Sequence, residues 1–281
     1  MTIDTFEGVQ DRIDSFAPRV KKPVLVVEIA GASGAGRTEL AARLQRGQGD
    51  DRAVVWHQDW YQLGDDFDGL DASPYRYDDP DNFQLARCAR DLEQLRSGKP
   101  VSVPQFTLQA LRSEGERLFR PRRVVIADGL YAMGSKELRR LGGLLVYTEA
   151  PLHARMLRRL FRLTQQDGID NPQAAIRHAL GPTLRAHRDF GRKQRNHAHA
   201  VITADYSFAE TVGRFGLQPI SGESATNELW AGGDLQLFLD REAADTDRLS
   251  IVWKGELYRQ IVTGVRERKL LQKEAANLEE L

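Results

Sequence analysis

Residues 24–38 read Val-Leu-Val-Val-Glu-Ile-Ala-Gly-Ala-Ser-Gly-Ala-Gly-Arg-Thr, and this stretch decides the fold. Its first half is a nearly continuous apolar run rich in β-branched residues, which is typical of a strand buried on both faces. Residues 31–36 are rich in glycine and favour a tight turn, and residues 37–44 continue as a helix. The order of strand, turn and helix predicts the first unit of a parallel α/β sheet.

Further apolar runs alternate with amphipathic segments as far as about residue 203. The predicted strands are 53–57, 101–106, 123–128, 144–148 and 200–203, and the predicted helices are 4–17, 82–96, 152–163 and 171–190. Because Pro104 cannot donate a ladder hydrogen bond, its strand is expected at an edge or in a hairpin. The repeated strand–helix units predict an α/β fold, with a P-loop NTPase-type parallel sheet and helices on both faces.

Beyond residue 206 the pattern changes, and we predict a core domain, 1–206, followed by a C-terminal extension, 207–281. In the extension, 235–239 and 249–253 are predicted strands and 256–278 a predicted charged helix, which makes a small α+β appendage. The apolar stripe of that helix either packs on its own domain or forms a homo-oligomer contact. The stripe consists of Ile261, Val262, Val265, Leu270 and Leu271.

The overall composition excludes several classes of protein. The 281 residues carry 40 basic and 40 acidic side chains, a balance that argues against a protein that mainly grips a nucleic acid backbone. Cys88 is the single cysteine, so an internal disulfide and a cysteine-based zinc site are excluded. No stretch approaches the ~18 apolar residues of a membrane span, and residues 1–16 contain no signal-peptide core. We therefore expect a cytoplasmic protein that acts on a small molecule, with no nucleic acid or membrane partner.

The glycine-rich turn fits the phosphate-loop pattern G-x-x-x-x-G-K-[ST] at every position except the lysine. In that pattern the glycines let backbone N–H groups turn toward phosphate oxygens, and the helix N-terminus adds its positive end. The alternative is a merely structural turn, but the placement between a buried strand and a helix favours binding of ATP. The residues expected to hold the nucleotide are Gly31, Ser33, Gly34, Ala35, Gly36, Arg37 and Thr38.

Arg37 stands where the pattern has lysine. Arginine and lysine differ in size and in hydrogen-bond geometry, so the exchange is not conservative at a tight phosphate site. Three interpretations compete: a loop that works with arginine as a catalytic residue, a binder with weak turnover, and a degenerate site. Only 8 of the 40 basic residues are lysine, which makes tolerated drift plausible and leaves activity open.

Acidic residues follow two of the predicted strands. Asp128 is the expected partner of the Thr38 hydroxyl in holding Mg²⁺, and its alternative role is to cap a helix. Asp59 is the expected catalytic base, because phosphoryl transfer to a hydroxyl needs a carboxylate to orient that hydroxyl and accept its proton; its alternative is a loop or capping carboxylate. His57 has no spaced partner for a metal site and is interpreted as structural.

An arginine-rich face follows the strand 144–148. Arg155, Arg158, Arg159 and Arg162 are spaced three and four apart, which places them on one face of a helix. Such a face is often simply solvated, but after a strand of a P-loop sheet it can also neutralise a transferring phosphate.

Several further stretches occur in the same order as in a known family. They are Gln58–Tyr61, Tyr77–Phe83, Leu92–Val101, Val103–Phe106, Val124–Leu130 and the arginine helix. Together with the phosphate loop, they make the chain similar to the uridine kinase and phosphoribulokinase family of P-loop kinases. The resemblance runs from about Val24 to Ile202.

The resemblance implies a kinase that uses ATP and Mg²⁺ to phosphorylate a hydroxyl group. Asp59 matches the family's catalytic aspartate, Asp78 a carboxylate that holds ribose hydroxyls, and Asp128 a position where the family usually has glutamate. The residues expected at the substrate are Asp59, Tyr61, Asp78, Phe106 and Arg159, and Arg158 and Arg162 of the lid helix are expected at the nucleotide.

The chain departs from the family pattern at the positions that read the nucleobase and in the segment that follows the lid helix. Phe106 and Leu111 stand where uridine kinases usually have a tyrosine and a histidine that read the base, and Asp167-Gly-Ile169 replaces an Arg-Gly-Arg run. The leading hypothesis is a nucleoside kinase. The alternatives are a kinase of a sugar phosphate, as in phosphoribulokinases, and a catalytically silent nucleotide-binding module.

Overall fold

The computed structural model describes most of the chain. The described residues are 2–3, 5–64, 78–107, 112–165, 183–203, 218–219, 227–232, 235–242, 246–253 and 256–264. They group into two compact units, one of residues 1–149 and 185–204 and the other of residues 150–184 and 205–281. The predicted boundary at residue 206 lies beside the division at 204–205, whereas residues 150–184 group with the second unit.

The first unit is built around a six-stranded, entirely parallel sheet. Its strands are β1 Thr2–Ile3, β2 Leu25–Gly31, β3 Ala53–His57, β6 Val124–Asp128, β7 Leu144–Glu149 and β8 Ala200–Thr203, and a separate hairpin consists of β4 Val101–Thr107 and β5 Arg112–Phe119. The order β1-β8-β7-β2-β6-β3 places β2 between β6 and β7. The predicted parallel sheet is confirmed, and the strand at 101–106 forms a hairpin.

Helices follow the strands of the sheet. They are α1 Phe6–Phe16, α2 Arg37–Gln48, α3 Leu85–Arg96, α4 Lys136–Leu141, α5 Leu152–Gln165 and α6 Leu184–Asp189, with 3₁₀ helices at Gln58–Tyr61, Pro80–Asn82 and Gly191–His197. Of the predicted helix 171–190, residues 171–182 lie outside the described residues. None of the described helices combines the length and the apolar character that a membrane span requires.

Strand β2 carries apolar side chains to both faces of the sheet. Val27 and Ile29 pack in a cluster with Val9 and Ile13 of α1 and with Leu44 of α2. On the opposite face, the strand's side chains join a second cluster, which contains Val26, Trp56, Leu92, Leu95 and Leu138. Because successive side chains of a strand point to opposite faces, a continuous apolar run is buried only between two helical layers. Helices therefore cover both faces, as predicted.

The second unit contains a five-stranded antiparallel sheet. Its strands are β9 Gln218–Pro219, β10 Asn227–Gly232, β11 Leu235–Glu242, β12 Thr246–Trp253 and β13 Glu256–Gly264. They follow one another in the sheet, and helix α5 packs against β12 and β13. The strands predicted at 235–239 and 249–253 are confirmed.

The helix predicted from residue 256 is wrong over residues 256–264, which form β13. Leu249 pairs with Ile261 and Val252 with Leu257, so pairing with β12 overrides the local preference of this charged segment. Ile261 and Val262 of the predicted stripe therefore lie on a strand. The remainder of the predicted helix, residues 265–278, lies outside the described residues.

Glu28 is a fully buried carboxyl group in the middle of the central strand. Burial raises its pKa well above the ordinary value of glutamate, and the charges of Arg139 and Arg96 and the Gly142 N–H offset this only in part. The pKa of Glu28 is thus higher in the folded chain than in the unfolded chain, where it is about 4.3. As pH rises from there toward the folded value, the unfolded chain releases a proton that the folded chain keeps, and stability falls.

Glu28→Gln is therefore expected to raise the melting temperature, and to raise it more at about pH 8 than at about pH 5. The neutral amide removes the cost of ionising a buried group without changing the side-chain size. Thermal unfolding at the two pH values measures the difference, with the exposed Glu39→Gln as the matched control. A shift of equal size at both pH values would show that Glu28 does not titrate differently in the two states.

Candidate active site

The phosphate-binding turn joins β2 to α2. Gly34 and Gly36 have φ values of +78° and +87°, a left-handed conformation that other residues adopt only with strain. Gly36 is also the N-cap of α2 and brings no side chain to accept from the first-turn N–H groups. These groups, at the positive end of the helix, are suited to bind an anion.

Gly31 starts the turn where the backbone runs close to β7. It pairs with Thr148, and a Cβ at Gly31 would lie 2.6 Å from the Thr148 carbonyl oxygen, which is closer than any side chain can approach. The close approach of β7 therefore leaves room only for glycine at the first position of the pattern. Ser33 and Ala35 are buried within the turn.

Three of the residues predicted from the sequence meet at the end of β6. The Arg37 Nη1 lies 3.8 Å from the Asp128 Oδ1, and both side chains are less than one-tenth exposed. The Thr38 hydroxyl donates to the Asp128 Oδ2 at 2.7 Å. The loop arginine, the loop hydroxyl and the strand-end carboxylate therefore form one cluster.

His57 also belongs to this cluster. Its Nδ1 lies 3.3 Å from the Asp128 Oδ2, because β3 and β6 are neighbours and His57 pairs in register with Asp128. The sequence interpretation of His57 as structural did not anticipate this contact. The register of two strands far apart in sequence was the missing information.

Asp128 is ionised in this environment. Burial alone would raise its pKa, but the hydrogen bond with His57, the charge of Arg37 and the hydrogen bond from Thr38 together hold the pKa below its usual value. The site therefore presents a buried negative charge with the guanidinium group of Arg37 beside it.

The cluster fits a nucleotide phosphate and a divalent cation. Within the described residues, the Arg37 Nη1 and the Asp128 Oδ1 are buried and make no hydrogen bond. The first is suited to a phosphate oxygen, and the second, with the Thr38 hydroxyl, offers the oxygen ligands that Mg²⁺ prefers. Across the described parts of the chain, no group of three or more His, Cys, Asp or Glu could hold a metal ion. Phosphate oxygens and water would therefore complete the coordination.

Asp59 lies at the same edge of the sheet. It is the second residue of the 3₁₀ helix Gln58–Tyr61, two residues after His57, and it is exposed. The carboxyl ends of parallel strands gather ligands in α/β folds. The position of Asp59 is therefore compatible with the predicted role of base.

Asp78 is tied to the end of β6 through Tyr131. The Tyr131 hydroxyl donates to the Asp78 backbone carbonyl, and its ring packs edge-on against Phe83 with the ring centres 5.5 Å apart. The Tyr131 N–H donates to the Gln58 Oε1 at 2.8 Å. Asp78 itself is buried. Sequence reasoning singled out Asp78 but missed Tyr131, which lies three residues beyond Asp128.

Tyr61 is not brought to this site. Its side chain is fully buried, and its hydroxyl donates to the Asp91 Oδ2 at 2.6 Å and accepts from the Trp56 Nε1 at 3.3 Å. This position gives no support to direct contact with a substrate. Phe106 is half-buried on β4, paired with Ser113, whereas Leu111 lies outside the described residues.

The arginine helix is α5 and belongs to the second unit. Arg155 and Arg159 are buried there and Arg158 is half-buried. Arg162 lies on the same helix, but its side chain is not among those that the structure describes. Asp167 and Ile169 lie outside the described residues.

Comparison with known proteins gives consistent results. The Phosphoribulokinase / Uridine kinase family profile matches residues 26–205. The uridine kinase of Lactobacillus johnsonii is 29% identical over 185 residues, 65% of this chain and 87% of that protein. The uridine kinase of Deinococcus deserti is 30% identical over 179 residues, 63% of this chain and 86% of that protein. The solved structure of a provisionally assigned fructose transport system kinase from Silicibacter sp. TM1040 matches with a TM-score of 0.60 at 20% identity. The match covers 72% of this chain and 100% of that chain. At this identity the match shows a likeness of fold alone.

Proposed function

Because the chain belongs to the phosphoribulokinase and uridine kinase family of P-loop kinases, we propose that it transfers the γ-phosphate of ATP to a hydroxyl group of a nucleoside. The observation that carries this proposal is the cluster at the phosphate loop. Arg37, Thr38 and the ionised Asp128 lie together beside the N-terminus of α2. A buried cation, a hydroxyl and a carboxylate at a glycine-rich turn suit a magnesium-bound triphosphate.

Each residue has a part in the proposed reaction. The loop N–H groups and Arg37 bind phosphate oxygens, and Thr38 and Asp128 hold Mg²⁺, which neutralises charge on the phosphates. Asp59 orients the acceptor hydroxyl and accepts its proton as the acceptor oxygen bonds to the γ-phosphorus and the bond from that phosphorus to the leaving ADP oxygen breaks. Catalysis then depends on positioning and electrostatic stabilisation.

A nucleoside is the proposed acceptor for two reasons. Asp78 provides a buried carboxylate, and a carboxylate accepts hydrogen bonds from two neighbouring hydroxyl groups such as those of ribose. The uridine kinases of Lactobacillus johnsonii and Deinococcus deserti match nearly two-thirds of the chain. The side chain of Phe106 has no hydrogen-bonding group with which to read a base, which favours loose selection among pyrimidines or an acceptor without a base.

A silent nucleotide-binding module is the second candidate, and the Arg37–Asp128 ion pair favours it. An arginine held by the strand-end carboxylate is less available to the β- and γ-phosphates than a lysine at the same position. In this case the chain binds ATP without transferring phosphate.

The test is an assay of the purified chain with ATP and Mg²⁺ against uridine, cytidine and ribulose 5-phosphate. Turnover on a nucleoside is expected, with little on ribulose 5-phosphate. Turnover on the sugar phosphate alone would replace the nucleoside proposal. Tight ATP binding in calorimetry without turnover on any acceptor would favour the silent module.

A further inference from the structure

We propose that Tyr131 is a positioning residue that holds Asp78 in the acceptor site and links this site to the phosphate-binding end of β6. The inference rests on the proposed function, because it takes Asp78 as the carboxylate that binds the acceptor. It assigns a role to a residue that has no part in the phosphate loop or in the proton transfer.

The first part of the link is the contact between Tyr131 and the segment around Asp78. The Tyr131 hydroxyl donates to the Asp78 carbonyl oxygen, so it fixes the backbone from which the carboxylate projects. The Tyr131 ring packs edge-on against Phe83, and Phe83 forms a β-bridge with Gln62. Both Tyr131 and Phe83 are buried. Tyr131 therefore contacts the segment 78–83 at two points, Asp78 and Phe83.

The second part of the link reaches the proposed base. The Tyr131 N–H donates to the Oε1 of Gln58, the residue directly before Asp59. A Cβ at Gly129 would lie 2.5 Å from the Gln58 Cβ, so Gln58 is pressed against the turn that follows Asp128. Tyr131 therefore connects three places: the turn after Asp128, the start of the Asp59 helix and the backbone of Asp78.

The electrostatic surroundings agree with this position. Burial raises the pKa of Tyr131, the negative charges of Asp78 and Asp79 raise it further, and the charge of Arg37 lowers it in part. The hydroxyl therefore stays protonated, as a donor must, at the pH of any kinase assay. The hydroxyl of Tyr131 is thus within range of the charges of both Asp78 and Arg37.

Tyr131→Phe removes the hydroxyl and keeps the ring. The Asp78 carbonyl then loses the hydrogen bond from Tyr131 and the carboxylate loses its fixed position. The acceptor KM is therefore expected to rise roughly 5- to 150-fold, the range for an orphaned buried acceptor. The ATP affinity and the kcat at saturating acceptor are expected to stay within about twofold, because the phosphate loop and Asp59 are unchanged. A purely structural role would instead weaken ATP binding and acceptor binding together.

The experiment compares four proteins: the wild type, Tyr131→Phe, Asp78→Asn and the double variant. We expect Tyr131→Phe to have little further effect on the acceptor KM in the Asp78→Asn background, because the hydroxyl acts through Asp78. Tyr147→Phe, a buried tyrosine on β7, is the matched control for loss of a buried hydroxyl and is expected to keep the acceptor KM of the wild type.

The outcomes separate the inference from the proposed function. If the wild type phosphorylates a nucleoside and Tyr131→Phe keeps its acceptor KM, the inference alone is overturned. If the effects of the two single variants simply add, Tyr131 does not act through Asp78 and the inference is again overturned. If the wild type phosphorylates no acceptor, the proposed function fails, and the inference fails with it.

Discussion

Replacing Asp59 with asparagine is expected to lower kcat by roughly 10²- to 10⁴-fold, the range that a positioned general base contributes. Asparagine keeps the size and the polarity of the side chain but cannot take the proton of the acceptor hydroxyl. Asp59 is exposed at the start of a short helix, so folding is expected to tolerate the change. Initial rates at saturating ATP and acceptor measure kcat, and calorimetry measures the ATP affinity, which is expected to be unchanged.

The matched control is Asp51→Asn, which replaces another exposed aspartate just before the same strand, β3. This control is expected to keep the kcat of the wild type. A wild-type kcat in Asp59→Asn would rule out Asp59 as the base. A fall in ATP affinity as large as the fall in kcat would instead make Asp59 a nucleotide-binding residue.

Arg37→Met is expected to lower the free energy of unfolding by about 3–5 kcal/mol, because it leaves Asp128 buried without its guanidinium partner. Methionine keeps much of the side-chain length and removes the charge. The Kd for ATP is expected to rise roughly 10- to 100-fold, as expected from loss of a hydrogen bond between charged groups. Urea unfolding without nucleotide measures the first effect, and calorimetry with Mg²⁺ and ATP the second. Wild-type values in both would show that the ion pair is unimportant.

Arg37→Lys is the control that keeps the positive charge and removes the planar guanidinium group with its several N–H donors. Its unfolding free energy is expected to lie between those of the wild type and Arg37→Met, because an ammonium group on a shorter reach pairs less well with Asp128. A higher kcat than the wild type would show that the arginine limits turnover. A lower kcat would show that this loop works with arginine.

Much of the fold follows from local sequence patterns. The apolar runs at 24–30 and 124–128 are long and β-branched, and strands with such runs must be buried on both faces. The glycine spacing at 31–36 specifies a turn whose backbone conformation excludes most other residues. These features predicted the parallel sheet, the covering helices and the position of the phosphate loop because each depends on residues close together in the chain.

Other features depend on which distant segments lie side by side. The contact of His57 with Asp128 requires β3 to be the neighbour of β6, an arrangement that neither segment encodes alone. Tyr61 lies in a motif that predicts a substrate contact, yet its hydroxyl donates a hydrogen bond in the core to Asp91, thirty residues later. The segment 256–264 is charged enough for a surface helix, but its pairing with β12 makes it a strand.

The arrangement around Asp128 has a consequence for the charge balance of the pocket. Thr38 and His57 contact the Oδ2, whereas Arg37 faces the Oδ1. Arg37 thus serves as the counter-ion of the buried Asp128 carboxylate in the absence of a ligand. In the proposed complex, in which Arg37 binds phosphate oxygens, Mg²⁺ would be the cation beside the Oδ1. Binding of Mg²⁺ and ATP would then exchange one positive partner of the buried carboxylate for another, so Asp128 would have a counter-ion both with and without the nucleotide.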